Sequence, residues 1–206
     1  MRRYVQDVVA LTRKDLLLEL RARDTLPAML LFVIAALVVF HFALPSQSSE
    51  LAAKGLLWVA LIFTALLGLT RAFTAEREQH LIDGLLMAPC DRSAIWLAKG
   101  LATLAFLGLA QVVALPAFAL FFSGVSGATV AGVVLADVGI AAVGTLLAAM
   151  ASVSRARELL LPLLFLPLAV PIVVGGVGGY LWFLALYDAV FGVLAWASFE
   201  YVVAEV

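Results

Sequence analysis

The sequence predicts an all-α polytopic membrane protein with six transmembrane helices and an N-terminal interfacial amphipathic helix. Of its 206 residues, 65% are hydrophobic and only 13% are charged, and its mean hydropathy is +1.14. The apolar residues come in runs of about 20, the number a helix needs to cross a hydrocarbon core of roughly 30 Å. A soluble core could not bury so much apolar surface, so we expect residues 1–206 to form a single membrane domain.

Residues 1–24 form an arm before the first apolar run, and they contain neither Gly nor Pro. Apolar residues recur on one side of a helix drawn through this arm, although two acids intrude there: Val5, Val8, Val9, Leu16 and Leu20, with Asp15 and Glu19. The arm can serve as a basic topology determinant. We favour an interfacial helix that lies along the cytoplasmic leaflet and turns at Asp24-Thr25.

The six-span membrane core covers residues 26–206. The first span runs from Leu26 to Leu44, opened by Asp24-Thr25 as a cap, with Pro27 in the first turn. The second runs from Leu51 to Phe73. The third runs from about Ala94 to Phe122, and Pro116 predicts a bend within it.

The fourth span runs from Ala128 to Val153 and is followed by a polar break. Three prolines predict an irregular or kinked fifth span: Pro162, Pro167 and Pro171. We place the turn into the sixth span between Gly178 and Asp188, with Asp188 as a helix cap. Tyr180, Trp182 and Tyr187 are then expected in the interfacial belt.

The basic residues set the orientation. In a six-span chain, 12 of the 13 lysines and arginines fall on one side of the membrane and only Lys54 on the other. Because positive charge is retained on the cytoplasmic side, both termini are predicted to be cytoplasmic. A bacterial inner membrane suits this charge bias.

Composition also argues against several functions. A net charge of −1 gives no basic field for nucleic acid. One cysteine and two histidines predict no disulfide and no metal site. The segment nearest to a phosphate loop, residues 139–145, lacks the lysine. We therefore expect no nucleotide site, no catalytic residues and no bound cofactor in this chain.

The loop of residues 75–92 interrupts the apolar pattern between the second and third spans. Apolar residues recur at helical spacing in it, namely Leu81, Ile82, Leu85 and Leu86. Glu76 and Glu78 precede them, and Pro89 marks the stop. An ordinary surface helix would show the same periodicity. The order of parts, from acidic start to leucine-rich helix to Pro89 and then Ala98-Lys99, favours a more specific interpretation.

That order resembles the first cytoplasmic loop of ABC-2-type exporter permeases, in which such a segment forms a cytoplasmic coupling helix against the ATPase. Within that group the chain resembles the CcmB family, and the resemblance covers nearly its whole length. The matching elements are residues 13–16 and 19–21 in the arm, Trp58, the loop of residues 76–99, residues 161–163 and 166–172, and Ser198-Phe199. This sequence has His80 where the family pattern leads us to expect Gly.

The resemblance implies a permease subunit of an ABC transporter for haem export, or for release of a haem chaperone, in cytochrome c maturation. A separate ATPase subunit would hydrolyse ATP, with Glu76, Glu78, Leu81, Ile82, Leu85 and Leu86 as its contacts. Haem-handling membrane proteins would be further partners, haem the transported or handled ligand, and a homodimer or paired membrane halves the assembly. The alternatives are an ABC-2 permease for a lipid, drug or glycan, and a non-transporting membrane scaffold.

Two single residues remain. Asp137 lies within an apolar span, about 13 Å from its outer end at ~1.5 Å per residue. It is either an intramembrane functional acid or a hydrogen-bonded acid facing other helices. His41, near the outer end of the first span, is a candidate haem contact, although a lone histidine there is more often an interfacial polar group.

Overall fold

Seven α-helices make up the described part of the chain. A computed structural model describes residues 2–45, 49–71, 91–122, 125–154 and 156–204, and these ranges contain no strand. The helices are α1 (Arg2–Ala22), α2 (Thr25–Ala43), α3 (Glu50–Arg71), α4 (Arg92–Phe122), α5 (Gly127–Val153), α6 (Arg157–Gly178) and α7 (Leu181–Ala204). Helices α2 to α7 are each long and apolar enough to cross a membrane. The predicted all-α membrane fold with six spans is therefore confirmed.

The ends of two spans show how local sequence sets the helix boundaries. The Ser126 hydroxyl accepts a hydrogen bond from the Thr129 backbone N–H at 3.1 Å, which caps the start of α5. Helix α2 begins at Thr25, one residue before the predicted Leu26, and the Asp24 side chain makes no capping bond. Its carboxylate lies 3.7 Å from the Arg71 guanidinium instead, so Asp24 holds the predicted N-cap position without capping the helix through its side chain.

Helix α5 lies at the centre of the bundle. It packs against α3, α4, α6 and α7, most extensively against α7. Of its most apolar part 61% is buried, against 17% for the corresponding parts of α2 and α7. The outer helices therefore present large apolar side chains outward, as a bilayer requires of its solvated surface.

Trp58 of α3 anchors the main core and is only 1% exposed. Its indole lies against Gly176 of α6, where an added Cβ would overlap the ring. On another side, a Cβ added at Gly132 of α5 would lie 3.6 Å from the ring, which is ordinary contact. The absence of a side chain at Gly176 is thus what lets α6 approach the largest side chain of α3.

The turn between the last two spans occupies very few residues. Helix α6 ends at Gly178, and Gly179 adopts a left-handed conformation with φ 69°. The Tyr180 N–H then bonds the Gly175 carbonyl at 2.8 Å, as in a glycine-terminated helix. Because α7 begins at Leu181, the turn falls at the start of the range we predicted.

This early turn corrects two predictions. Asp188 lies inside α7 and is not a helix cap. Tyr187 is buried, and its hydroxyl donates a 2.9 Å hydrogen bond to the Leu168 carbonyl of α6, so it is not part of an interfacial belt. Tyr180 and Trp182 are exposed at the turn, where the sequence places them.

Proline does not end either of the helices that contain it. Helix α4 continues through Pro116, and α6 continues through Pro162, Pro167 and Pro171. Neighbouring helices and local adjustments tolerate such residues in membrane spans. A bend at Pro116 and a kink in α6 stay predictions.

Candidate functional site

The predicted coupling helix lies outside the described residues. Its six predicted contact residues, Glu76, Glu78, Leu81, Ile82, Leu85 and Leu86, all fall in the range 72–90. Its two attachment points are described: α3 ends at Arg71 and α4 begins at Arg92. The last turn of α3 and the first turns of α4 are therefore the parts of the core through which a force on this loop would enter.

Helix α1 packs along those first turns of α4. The Ser93 hydroxyl donates to the Tyr4 hydroxyl at 3.3 Å. Val8 is buried against Ala94 and Ala98. The Thr12 hydroxyl donates to the Val8 carbonyl at 2.8 Å and lies 3.3 Å from the Ala98 carbonyl. These contacts follow the same order along both helices, so α1 and the base of α4 share one continuous interface.

A buried ion pair closes that interface. The Lys99 ammonium lies 3.3 Å from the Asp15 carboxylate, and the two side chains are 6% and 9% exposed. The other carboxylate oxygen of Asp15 lies 3.0 Å from the Lys14 ammonium. A charge this deep must be compensated, and Asp15 and Lys99 compensate each other across 84 residues of sequence.

This ion pair explains why an acid interrupts the apolar stripe of α1. The predicted stripe divides between two faces: Val8 is buried on α4, whereas Val5, Val9 and Leu20 are exposed. Asp15 shares the face of Val8. Sequence periodicity had grouped the buried and the exposed residues together, and only the position of α4 separates them.

A cavity of about 50 Å³ lies beside the ion pair, between α1 and α4 on one side and α2 and α3 on the other. Its polar lining consists of Asp15, Glu19, Thr25, Arg71, Lys99 and Thr103. The Thr25 hydroxyl is buried and has no hydrogen-bond partner among the described residues. A volume of this size holds a few water molecules at ~10–15 Å³ each.

Asp137 lies in a second polar site, within the bundle. Its carboxylate accepts a 3.2 Å hydrogen bond from the Gln111 amide of α4, and the two residues are 5% and 6% exposed. The Gln111 carbonyl oxygen is buried without a partner in the described part of the chain. Asp137 is therefore a hydrogen-bonded acid facing another helix, and a functional role for it stays a prediction.

Asp188 is the intramembrane acid that sequence reasoning missed. Both carboxylate oxygens are buried and find no hydrogen-bond partner among the described residues. The carboxylate lies against Gly139 of α5, where an added Cβ would overlap it. Recognising the run from 181 to 204 as one apolar helix would have placed this acid within a span.

His41 lies in an aromatic cluster at the C-terminal ends of α2 and α4. Its ring centroid lies 5.4 Å from Phe42, 5.3 Å from Phe121 and 5.7 Å from Phe122. The residue is exposed. The described contacts of His41 and Asp137 do not overlap, so the structure does not bring these two candidate residues into one site.

Other proteins resemble this chain over most of its length. Residues 6–201 match the family model described as CcmB protein. "Heme exporter protein B" of Bradyrhizobium diazoefficiens is 28% identical over 173 residues, which are 82% of this chain and 78% of the relative. The proteins of the same name from Paracoccus denitrificans and Pseudomonas aeruginosa are 31% identical over 172 residues and 30% over 156. These alignments cover 81% and 74% of this chain, and 79% and 70% of the relatives. The chain belongs to the CcmB family.

Proposed function

We propose that this chain is the membrane permease subunit of an ABC transporter that exports haem, or releases a haem chaperone, in cytochrome c maturation. The observation that carries the proposal is the match to the CcmB family over residues 6–201, together with relatives named "Heme exporter protein B". Six helices suited to crossing a membrane support it. The work of ATP hydrolysis then comes from a separate ATPase subunit.

The proposed ATPase contact is the loop of residues 75–92. Leu81, Ile82, Leu85 and Leu86 pack into a cleft of the ATPase, while Glu76 and Glu78 form the charged rim. The base of α4, which starts at Arg92 and packs against α1, supports this assignment because it gives the loop a firm attachment to the core.

Purification of the tagged chain from native membranes in mild detergent tests the proposal. We expect an ATPase to copurify, together with membrane proteins that handle haem. Deletion of the gene should abolish holocytochrome c, and this chain should restore it. If an ATPase copurifies but the chain restores export of another compound, that compound replaces haem as the cargo. An intact preparation without any ATPase would point to a scaffold.

Leu85→Glu tests the contact surface, with Leu85→Ile as the matched control that keeps the volume and the apolar character. We expect the glutamate variant to lose the ATPase and cytochrome c maturation while its abundance in the membrane is unchanged. The isoleucine variant should keep both. Normal copurification with Leu85→Glu would remove residues 75–92 from the proposed interface.

We further propose a bacterial inner membrane as the location, with both termini in the cytoplasm. The support is the charge distribution, with 12 of 13 basic residues on one side of six spans. In a Cys90→Ser background, Ser126→Cys should react with a membrane-impermeant thiol reagent added outside the cells. Ser154→Cys should react only after the cells are opened, and the reverse pattern would invert the topology.

A further inference from the structure

Helix α1 is attached to the one span whose first residues follow the proposed coupling loop. Contacts run along the interface from Tyr4 and Ser93 to Asp15 and Lys99. The base of α4 is also fixed to other spans, because the Trp96 indole N–H donates to the Ala142 carbonyl of α5 at 3.2 Å. Any displacement of this base must therefore move α1 or break its contacts.

The Asp15–Lys99 pair is the contact that specifies how α1 is seated. The Ser93–Tyr4 and Thr12–Ala98 contacts of the interface are between uncharged groups at 3.3 Å, and such bonds are easily exchanged for water. Lys99 is held by a span and is 6% exposed, so separation of α1 would remove the Asp15 carboxylate from a buried ammonium, which is costly at that depth. The pair forms only when α1 lies in this position.

The cavity leaves the packing beside the ion pair incomplete. Asp15, Glu19 and Lys99 line it from the α1 and α4 side, and Thr25, Gly68 and Arg71 from the α2 and α3 side. Packed helices move past each other by small sliding shifts, and side chains next to a void are held less tightly than those in a filled interface. The cavity therefore lies where α1 and α4 meet α2 and α3, which also pack directly against α4, and the ion pair lies on its α1 and α4 side.

We propose that the Asp15–Lys99 pair is a positioning clamp that makes α1 and the base of α4 one rigid unit, which moves against α2 and α3 across the cavity during transport. This inference rests on the proposed function, because the displacement that it transmits enters through the ATPase loop. The arm is then a moving part of the permease in addition to a topology determinant.

Asp15→Asn tests the clamp in the purified complex, with Glu50→Gln as the matched control. Glu50 forms an ion pair with Lys54 at 2.8 Å, but it is exposed and lies at the opposite end of the bundle. We expect Asp15→Asn to retain the ATPase yet lose about tenfold in cargo delivered per ATP hydrolysed, within the range of couplings between protein sites. The exchanged pair Asp15→Lys with Lys99→Asp should recover part of this loss.

An unchanged ratio of delivery to hydrolysis in Asp15→Asn would overturn the clamp. So would an equal loss in Glu50→Gln, because the effect would then not depend on where the removed charge lies. Recovery by the exchanged pair separates the interaction from a general need for an acid at position 15.

Crosslinking tests the rigid unit directly, in a Cys90→Ser background. Tyr4→Cys with Ser93→Cys, joined by a short bifunctional thiol reagent, fixes α1 to α4 and should leave cargo delivery intact. Glu19→Cys with Arg71→Cys fixes the two walls of the cavity and should block delivery. Loss of delivery in the first case, or full delivery in the second, would overturn the proposal.

The same cysteines separate a failure of the clamp from a failure of the proposed function. Adding Asp15→Asn to the Tyr4→Cys and Ser93→Cys pair should lower the yield of crosslink, because α1 is then less firmly seated. This yield requires neither ATPase nor cargo. If no ATPase copurifies but the yield falls, the proposed function fails and the clamp stands; an unchanged yield overturns the clamp in either case.

Discussion

Different interactions hold together the base of the bundle, where α1 meets the first turns of α4, and its centre, around α5. At the base, α1 is fixed to α4 by polar contacts and by a buried ion pair between Asp15 and Lys99. At the centre, α5 packs against α7 and α6 through small and large apolar residues. A buried ion pair favours one relative position of two helices, and any other position is energetically costly. Apolar packing depends on the shapes of the side chains instead. The two regions should therefore respond in opposite ways to the same kinds of substitution.

The largest expected effect is at the base. Asp15→Ala leaves the Lys99 ammonium buried without Asp15, which should lower the free energy of unfolding by about 3–5 kcal/mol. Replacing both residues with leucine should cost far less, since apolar pairs often replace buried ion pairs without loss of stability. Thermal unfolding in detergent measures both. Equal losses of stability in the two variants would show that removing the Asp15 charge from beside Lys99 destabilises the protein less than we infer.

The core should respond to volume. Gly176→Ala places a methyl group against the Trp58 indole and should lower stability by about 1–3 kcal/mol. Gly192→Ala is the matched control, because an added Cβ there meets nothing within 4 Å. We expect the control to be neutral or slightly stabilising, and Trp58→Phe to relieve part of the loss at Gly176. No difference between the two alanine variants would contradict the packing seen here.

The hydrogen bond between Gln111 and Asp137 is a polar contact inside the apolar core. Asp137→Asn keeps an oxygen that can accept from Gln111, so its stability should stay close to that of the original protein. Asp137→Leu leaves the Gln111 amide unpaired and should cost about 1–3 kcal/mol. Holocytochrome c content in both variants then measures function. A stable Asp137→Asn variant without maturation would make the acid functional, and normal maturation would make it structural.

The smallest effect is expected at His41. Its neighbours are the rings of Phe42, Phe121 and Phe122, so His41→Phe preserves an aromatic cluster. We expect no change in holocytochrome c content or in haem bound to the purified complex. His41→Ala serves as the comparison, because it removes the ring as well as the nitrogen atoms. Loss of haem in both variants, with stability unchanged, would instead identify His41 as a haem contact.

Helix boundaries were predictable where the sequence changes character sharply. The second and third spans begin within about two residues of the prediction, because the charged residues Glu50 and Arg92 mark their starts. The last turn was harder, since Tyr187-Asp188 resembles a boundary as much as Gly178-Gly179 does. The left-handed conformation of Gly179 places this turn directly after Gly178. With the turn complete by Tyr180, Asp188 had to lie within α7.

The sequence by itself determined the six spans, their order and the side that carries the positive charge. It could do so because the bilayer acts on each segment separately, and each helix satisfies its own backbone hydrogen bonds. Only the tertiary structure decided which acid compensates Lys99, which amide meets Asp137 and which face of α1 is buried. Those contacts join residues between 26 and 86 positions apart. The hydropathy of a segment does not determine which other helices it packs against.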